Sequence, residues 1–217
     1  MDYWKLITLL LKSTGVTVSL FLIIIAASLP LGMLLTVISR CKFKPVSWLA
    51  GAYIFVIRGT PLMLQLLFLY FGVPKIPLIG SFIAINNRYL AAAVAFSLNY
   101  AAYFAEIFRG GLLAVDKGQY EAAQVLGLSK LQTMMRIVLP QMIRVSLPSI
   151  SNESVILIKD TALVYAIGVI DLLETAKSQV NTMADITPYI VAAVIYLLLN
   201  TLLTMLFNKL EKKFSFE

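Results

Sequence analysis

Histidine is absent from the sequence, and cysteine occurs once, at Cys41. A disulfide within the chain is therefore excluded, as is a metal site built from histidine and cysteine ligands. Charged residues are scarce as well, because they make up 13% of the 217 residues whereas hydrophobic residues make up 60%. Soluble domains carry roughly 25% charged residues, so this balance predicts a protein whose surroundings are lipid.

A phosphate-binding G-x-x-x-x-G-K-[ST] segment is missing too. We therefore expect that the chain does not cradle ATP, holds no cofactor or metal of its own, and is not an enzyme. The net charge of +7 does not indicate nucleic acid, because the lysines and arginines flank apolar segments. They do not form the basic surface with interleaved aromatics that is typical of nucleic-acid binding.

Apolar runs long enough to cross a membrane occur about five times along the chain. A helix needs about 20 residues to cross a hydrocarbon core about 30 Å thick. The predicted spans are residues 15–38, 48–71, 89–110, 143–170 and 186–208. The first dozen residues predict a separate amphipathic turn at the interface, and Gly110-Gly111 predicts the end of the third span. We expect one all-α transmembrane domain, residues 1–217, with its termini on opposite sides.

The basic residues are distributed unequally between the two ends of these spans. One side collects Arg40, Lys42, Lys44, Arg109, Lys117, Lys130, Arg136, Arg144, Lys209, Lys212 and Lys213, and the other has Lys5, Lys12, Lys75, Arg88 and Lys177. The cytoplasmic side of a membrane protein carries the excess of lysine and arginine. We therefore expect the N-terminus outside, the C-terminus in the cytoplasm, and residues 112–140 as the largest cytoplasmic loop.

Residues 112–140 predict two short helices joined by a glycine. Residues 119–126 indicate a first helix that Gly127 ends, and Ser129 indicates the cap of a second helix over residues 130–138. Ala122 and Ala123 leave the tip of the first helix nearly free of side-chain bulk. Such a knob fits a cleft on a partner protein.

The same loop resembles the EAA loop of ABC importer permeases. The matching positions are Glu121, Ala122, Ala123, Gly127, Ile137, Leu139 and Pro140, at the spacing of that loop. Three further stretches resemble the histidine, glutamine and arginine type of polar amino acid permease: Arg58 to Leu62 continuing through Gln65 to Gly72, Ala105 to Gly111, and Leu157 to Thr161 with Gly168. The resemblance covers about residues 15 to 210.

This resemblance implies the fold of a type I ABC importer permease in the cytoplasmic membrane of a prokaryote. It implies that Glu121, Ala122, Ala123 and Gly127 couple the chain to an ABC ATPase, which would hold the ATP and magnesium. An extracytoplasmic binding protein would deliver the amino acid. Five spans contain no symmetric pair of halves, so a pathway at a two-fold interface implies a dimer with a second copy or a paralogue.

Several polar residues fall near the middle of the predicted spans, and they are the candidate substrate-binding residues. They are Arg58, Thr60, Asn99, Glu153, Asp160 and Thr161. A charge at this depth costs about 2.5–3.5 kcal/mol, so it should face a cavity or a partner. Glu153 and Asp160 are seven residues apart, which places both on one face of a helix.

We expect an amino acid to bind between the second, third and fourth spans. Its carboxylate would lie near Arg58 or the backbone donors around Thr60, and its amino group near Asp160. Its side chain would meet Glu153, whose charge favours arginine, lysine or histidine over glutamine. The expected function is ATP-driven import of a cationic amino acid, and import of glutamine or another polar amino acid is the alternative.

Internal pairing is the other interpretation of these residues. Arg58 would pair with Glu153 or Asp160 to satisfy burial, and Asn99 would form a hydrogen bond between helices. Glu106 and Arg109 lie one turn apart near the cytoplasmic end, which indicates a structural ion pair or a gate.

Two other functions are compatible with the sequence. An ion-coupled secondary transporter is disfavoured by the EAA loop and by the absence of an inverted repeat. A scaffold subunit that transports nothing is disfavoured by the mid-membrane charges, since they would be a needless cost.

Overall fold

The computed structural model describes residues 3–214, and all regular structure in this range is helical. The α-helices are, in chain order, α1 (Tyr3–Ser39), α2 (Lys44–Gly59), α3 (Leu62–Leu67), α4 (Gly80–Ile83), α5 (Arg88–Ala114), α6 (Lys117–Val125), α7 (Lys130–Thr133), α8 (Leu139–Asp160), α9 (Leu172–Met183) and α10 (Thr187–Phe214). Short π-helical and 3₁₀ segments extend α3, α7 and α8, at Phe68–Gly72, Val73–Lys75, Met134–Val138 and Thr161–Ile167.

Three helices within residues 3–214 are long and apolar enough to cross a membrane, namely α1, α5 and α10. The bent pair of α2 and α3, with the turns that follow α3, makes a fourth if it counts as one span. α8 is 22 residues long but more polar, because it carries Arg144, Glu153, Lys159 and Asp160. The count of five spans and their orientation stay predictions.

α1 is one unbroken helix of 37 residues. The separate amphipathic turn predicted for the first dozen residues is therefore wrong. Leu6 and Leu10 in these first turns are buried, and they belong to one apolar cluster with Leu172 and Ala176 of α9 and Ala192 of α10. Protein contacts thus hold the start of α1 in line with the rest of the helix.

α5 is the central helix of the bundle. In its most apolar stretch 67% is buried, compared with 11% in α10. Small side chains let α1 approach it closely: a Cβ at Gly32 of α1 would lie 2.7 Å from the Cβ of Phe104. Thr36 Oγ1 also donates a hydrogen bond to the Ala105 carbonyl oxygen at 3.0 Å. Such close contacts between backbones replace the hydrophobic driving force that lipid does not supply.

α5 continues through Gly110-Gly111 to Ala114, so the end predicted at these glycines is wrong. A Cβ at Gly110 would meet nothing within 4 Å, whereas one at Gly111 would clash with the Ser146 hydroxyl and lie 2.9 Å from the Met142 carbonyl oxygen. Ser146 Oγ donates a hydrogen bond to the Ile107 carbonyl oxygen at 3.4 Å. The second glycine therefore marks the crossing point of α5 and α8.

The predicted second span is interrupted between α2 and α3. Thr60 and Pro61 are extended, and the axis turns by 110°. Pro61 lacks the N–H that a continuous helix needs, and a residue that precedes proline is disfavoured in helical conformation. The break places Arg58 in the last turn of α2, beside the central helix.

Residues 112–140 form the first of the two short helices that the sequence predicts. The second is not a separate helix, because α7 continues through the π-helical turn at Met134–Val138 into α8 without a break. Gly127 has φ +73°, and the N–H groups of Gly127 and Leu128 donate to the carbonyls of Gln124 and Ala123, which is the hydrogen-bond pattern of a Schellman motif. Ser129 then begins α7 with a capping box to Gln132. This glycine is required because other residues reach a left-handed backbone only at a cost.

Candidate substrate cleft and coupling loop

A polar cleft of about 320 Å³ lies between the end of α2, the middle of α5 and α8. Its polar lining comes from Arg58, Tyr103, Glu106, Ser149 and Glu153. The volume falls at the lower end of the roughly 300–1,000 Å³ that small-molecule sites occupy. The cleft therefore has room for a ligand the size of one amino acid.

Arg58 projects into this cleft from α2. Its Nη1 lies 3.9 Å from Glu106 Oε1, and its guanidinium lies 5.5 Å from the centre of the Tyr103 ring. The arginine side chain remains 41% exposed. The sequence interpretation that paired Arg58 with Glu153 or Asp160 does not match this contact, because the nearest carboxylate is that of Glu106.

Glu106 also pairs with Arg109, one turn further along α5. Arg109 Nε donates to Glu106 Oε2 at 2.9 Å, and Nη2 donates to Oε1. Such two-bond pairing fixes geometry better than a single contact does. Glu106 thus lies between two arginines, Arg58 on the cleft side and Arg109 on the other. A gating role for Glu106 and Arg109 stays a prediction.

Glu153 is half-buried on the opposite wall, on α8. In the part of the chain that the structure describes, its carboxylate has no hydrogen bond or ion pair, although it is close enough to interact electrostatically with Asp160 and Arg58. The charged side chains that line the cleft are those of Arg58, Glu106 and Glu153, so their formal net charge is −1. The lining therefore carries an excess of negative charge.

Asp160 lies two turns beyond Glu153 on the same face of α8, about 10 Å along the helix axis. Tyr100 of α5 donates a hydrogen bond to Asp160 Oδ2 at 2.8 Å. The Tyr100 ring packs on Tyr103, with centroids 6.1 Å apart, and Tyr103 lines the cleft. Two tyrosines therefore connect Asp160 to the cleft, and the sequence analysis assigned neither of them a role.

The structure places Thr60, Asn99, Asp160 and Thr161 outside the cleft lining. Thr161 is fully buried, and its hydroxyl donates to the Ile158 carbonyl oxygen at 2.7 Å. Asn99 is 3% exposed and donates to Gln65 Oε1 at 2.9 Å, which is the contact between helices that the alternative interpretation expected.

Gln65 is the residue that organises the break between α2 and α3. Its Nε2 lies 2.8 Å from the Ile57 carbonyl oxygen, 2.7 Å from Thr60 Oγ1 and 3.1 Å from the Thr60 carbonyl oxygen. In a continuous helix the Ile57 carbonyl would accept from the N–H of residue 61, which Pro61 lacks. The Thr60 carbonyl is left without a helical donor because the backbone is extended at the break. Sequence analysis missed this role, although a glutamine four residues after a proline in an apolar run is a signal for such a cap.

The loop of α6 and α7 presents a mixed surface. Glu121 and Ala122 are exposed, whereas Ala123 is only 1% exposed and lies against the rest of the chain. Large apolar side chains surround them, with Val125 87% and Leu126 76% exposed. An exposed apolar surface beside polar residues is typical of a protein interaction site.

No group of three or more histidine, cysteine, aspartate or glutamate side chains within residues 3–214 could hold a metal ion. Charged side chains persist inside a membrane bundle where a substrate or an ion passes. The apolar helices and the charged cleft between them therefore define the class of membrane transport proteins.

Comparison with known proteins identifies the family within this class. The sequence model for the inner membrane component of binding-protein-dependent transport systems matches residues 7–216. An arginine transport system permease of Bacillus subtilis (strain 168) is 39% identical over 202 residues, covering 92% of this chain and 90% of its own. A putative glutamine transport system permease of Rickettsia conorii is 36% identical over 212 residues, covering 97% and 95%.

Solved structures agree with these relatives. A crystal structure of an amino acid ABC transporter with histidines superposes with a TM-score of 0.87 at 31% identity, over 98% of this chain and 99% of that one. An inward-facing methionine ABC transporter superposes with a TM-score of 0.77 at 18% identity, over 96% of this chain and 97% of that one, and it shares the fold.

The chain belongs to the family of inner membrane components of binding-protein-dependent transport systems. The predicted resemblance to amino acid ABC permeases is thereby confirmed, as is the all-α membrane fold. The chain is a permease component of a binding-protein-dependent transport system and is not itself an enzyme. Transport systems of this family depend on a binding protein.

Proposed function

We propose that this chain is the transmembrane subunit of an ATP-driven importer for a cationic amino acid, arginine, lysine or histidine. The observation that carries this proposal is the unpaired carboxylate of Glu153 in a cleft of net negative charge. The relatives named as arginine permeases, and the related structure with histidines, support it. The relatives named as glutamine permeases support glutamine as the alternative substrate.

The substrate would take over a contact that already exists in the cleft. Arg58 lies at the long distance of 3.9 Å from Glu106, while Arg109 holds Glu106 with two hydrogen bonds. The substrate carboxylate would pair with Arg58 in place of Glu106. Glu106 would remain paired, because Arg109 still donates two hydrogen bonds to it. The amino group would lie toward Asp160, and the cationic side chain would pair with Glu153.

Thr60, Asn99 and Thr161 would then act on the substrate indirectly. Thr60 and Asn99 bond to Gln65 at the break that orients Arg58, and Thr161 holds the turn that follows Asp160. In this arrangement Arg58, Glu153 and Asp160 contact the substrate, and the other three residues position them.

The chain would work as a dimer, with a second copy or a paralogue beside it in the cytoplasmic membrane. The 112–140 segment would face the cytoplasm and dock on the ATPase, which holds the ATP and magnesium. Glu121 and Ala122 supply the exposed contact, whereas buried Ala123 and the left-handed Gly127 fix the shape of the knob. Its exposed apolar residues support this docking role.

Substrate-stimulated ATP hydrolysis by the reconstituted complex tests the proposed specificity. Arginine, lysine or histidine should stimulate hydrolysis, and Glu153→Gln should abolish that stimulation because the substrate cation loses its counter-charge. Losing a charged hydrogen bond of about 1.5–3 kcal/mol corresponds to roughly 10- to 150-fold weaker half-saturation. Glu174→Gln, on α9 and outside the cleft lining, is the matched control and should behave as wild type.

Equal stimulation by glutamine, with no effect of Glu153→Gln, would contradict the cationic specificity. The binding protein would then select the substrate, and Glu153 would be a structural charge. Substrate uptake that depends on an ion gradient and not on ATP would instead support the secondary-transporter alternative.

A bulky substitution at the loop tip tests the coupling surface. Ala122→Trp should weaken co-purification of the ATPase by roughly 30-fold or more, because an indole ring cannot enter a contact shaped for a methyl group. The melting temperature of the permease itself should stay unchanged, since Ala122 is exposed. Ser178→Trp on α9 adds the same bulk at another exposed position, and it should leave the complex intact.

A further inference from the structure

A second groove lies between α8 and the last turns of α10, and of its described lining residues it shares Val145 with the cleft. It consists of two adjoining cavities of about 330 and 230 Å³, which share Pro148 and Glu211. Glu153 faces the cleft, whereas Ser151 and Asn152 line the groove. Substrate binding and coupling therefore leave this groove without a role.

The mouth of the groove is basic. Arg144 and Lys212 line it beside Glu211, and Lys209 and Lys213 lie exposed in the same turns of α10. Four basic residues and one acidic residue give the mouth a formal charge of +3. Like every cluster of this kind at the end of a membrane helix, it attracts anions.

The inner part of the groove is polar although the surrounding helix surface is apolar. Asn152, Thr204 and Asn208 are exposed there, and none of them has a side-chain partner among residues 3–214. Thr204 lies eight residues before Lys212, which is about 12 Å along α10. The headgroup region of each leaflet is about 5–7 Å thick. Asn208, four residues before Lys212 and about 6 Å along α10, therefore lies at the depth of the ester groups, and Thr204 lies deeper.

Pro148 adds a further acceptor to the groove wall. It lies inside α8 and has no N–H, so the carbonyl of residue 144 lacks its usual helical donor. Val145, Leu147 and Phe214 supply apolar surface around the mouth. The groove thus combines a cationic mouth, polar groups at intermediate depth and apolar walls, which is the order of chemistry along a phospholipid.

We propose that this groove binds the headgroup of an anionic phospholipid from the surrounding bilayer. The phosphate meets Arg144 and Lys212, the glycerol ester region meets Asn208, and the acyl chains follow the apolar walls beyond it. A basic pocket between membrane helices is the known chemistry for such headgroups. A zwitterionic phospholipid lacks the net charge to compete.

Native mass spectrometry of the permease with its ATPase tests this site. The complex is reconstituted in vesicles of phosphatidylethanolamine and phosphatidylglycerol and then released in mild detergent. Wild type should retain phosphatidylglycerol, and the double variant Arg144→Gln, Lys212→Gln should retain roughly 25-fold less, at about 1 kcal/mol for each basic residue. The control Lys42→Gln, Lys44→Gln removes two basic residues at the connection between α1 and α2 and should retain as much as wild type.

Two further variants keep the test decisive if the double variant does not assemble. Glu211→Gln removes the like charge from the mouth and should increase retention of phosphatidylglycerol. Asn208→Leu leaves the charge unchanged and should reduce retention, because it removes the polar contact to the ester region. Retention of phosphatidylethanolamine in place of phosphatidylglycerol, equal retention by all variants, or displacement of the lipid by inorganic phosphate would overturn the proposal.

Discussion

Gly111→Ala should lower the melting temperature of the purified complex, whereas Gly110→Ala should raise it. A Cβ at position 111 would lie 2.9 Å from the Met142 backbone carbonyl, which cannot move aside as a flexible side chain would. Overpacking of this kind costs typically about 1–3 kcal/mol. A Cβ at Gly110 meets nothing within 4 Å, so alanine there adds roughly 0.5–1 kcal/mol of helix stability.

The adjacent glycines make this a matched pair with opposite expected signs. Thermal unfolding followed by size-exclusion chromatography of the detergent-purified complex measures both variants. Gly111→Val should prevent assembly, because it adds two more carbon atoms at the crossing point of α5 and α8. Equal stability of the two alanine variants would show that α5 and α8 do not approach each other as closely as the structure places them.

Gln65→Met should cause a large loss of stability and of transport together. The substitution keeps the length of the side chain but removes the donor for the carbonyls of Ile57 and Thr60 and the acceptor for Asn99. An unsatisfied backbone group costs several kcal/mol in a membrane interior. The break would lose its cap, and Arg58 in the adjoining turn would lose its fixed position.

Related variants should lose stability and transport in a defined order. Asn99→Leu should be less damaging than Gln65→Met, because Gln65 would still cap the carbonyls. Gln179→Met on the surface helix α9 is the control for the chemical change and should leave stability and transport near wild type. Melting temperature and substrate uptake in vesicles measure the series. If Asn99→Leu were the more damaging change, the cap would not depend on Gln65.

The sequence carried most of the information for the loop of α6 and α7. Gly127 and Ser129 specify a helix end and a helix start by local hydrogen bonding alone, and both form as the spacing predicts. The membrane class and the family were likewise accessible, because they rest on apolar runs and on fixed short motifs. Where local hydrogen bonding decides the backbone conformation, that conformation can be predicted from the sequence without the tertiary structure.

The cleft was less accessible because its residues meet across helices. Spacing placed Glu153 and Asp160 on one face of α8, but it could not show that Tyr100 holds Asp160 or that Arg58 faces Glu106. The same limit explains the error at Gly111, where a glycine that usually ends a helix instead permits a close crossing. Tertiary contacts decide which polar residues stabilise the fold and which bind the substrate, and the sequence does not give those contacts.

α1 is longer than the hydrocarbon core of a bilayer is thick. Its 37 residues extend about 55 Å, whereas a hydrocarbon core measures about 30 Å. Such hydrophobic mismatch usually forces a helix to tilt or the lipid to stretch. Here α9 and α10 cover Leu6 and Leu10 on one face of the first turns, whereas Ile7, Leu9 and Leu11 stay exposed. Protein contacts therefore take the place of lipid along one face of this end of the helix.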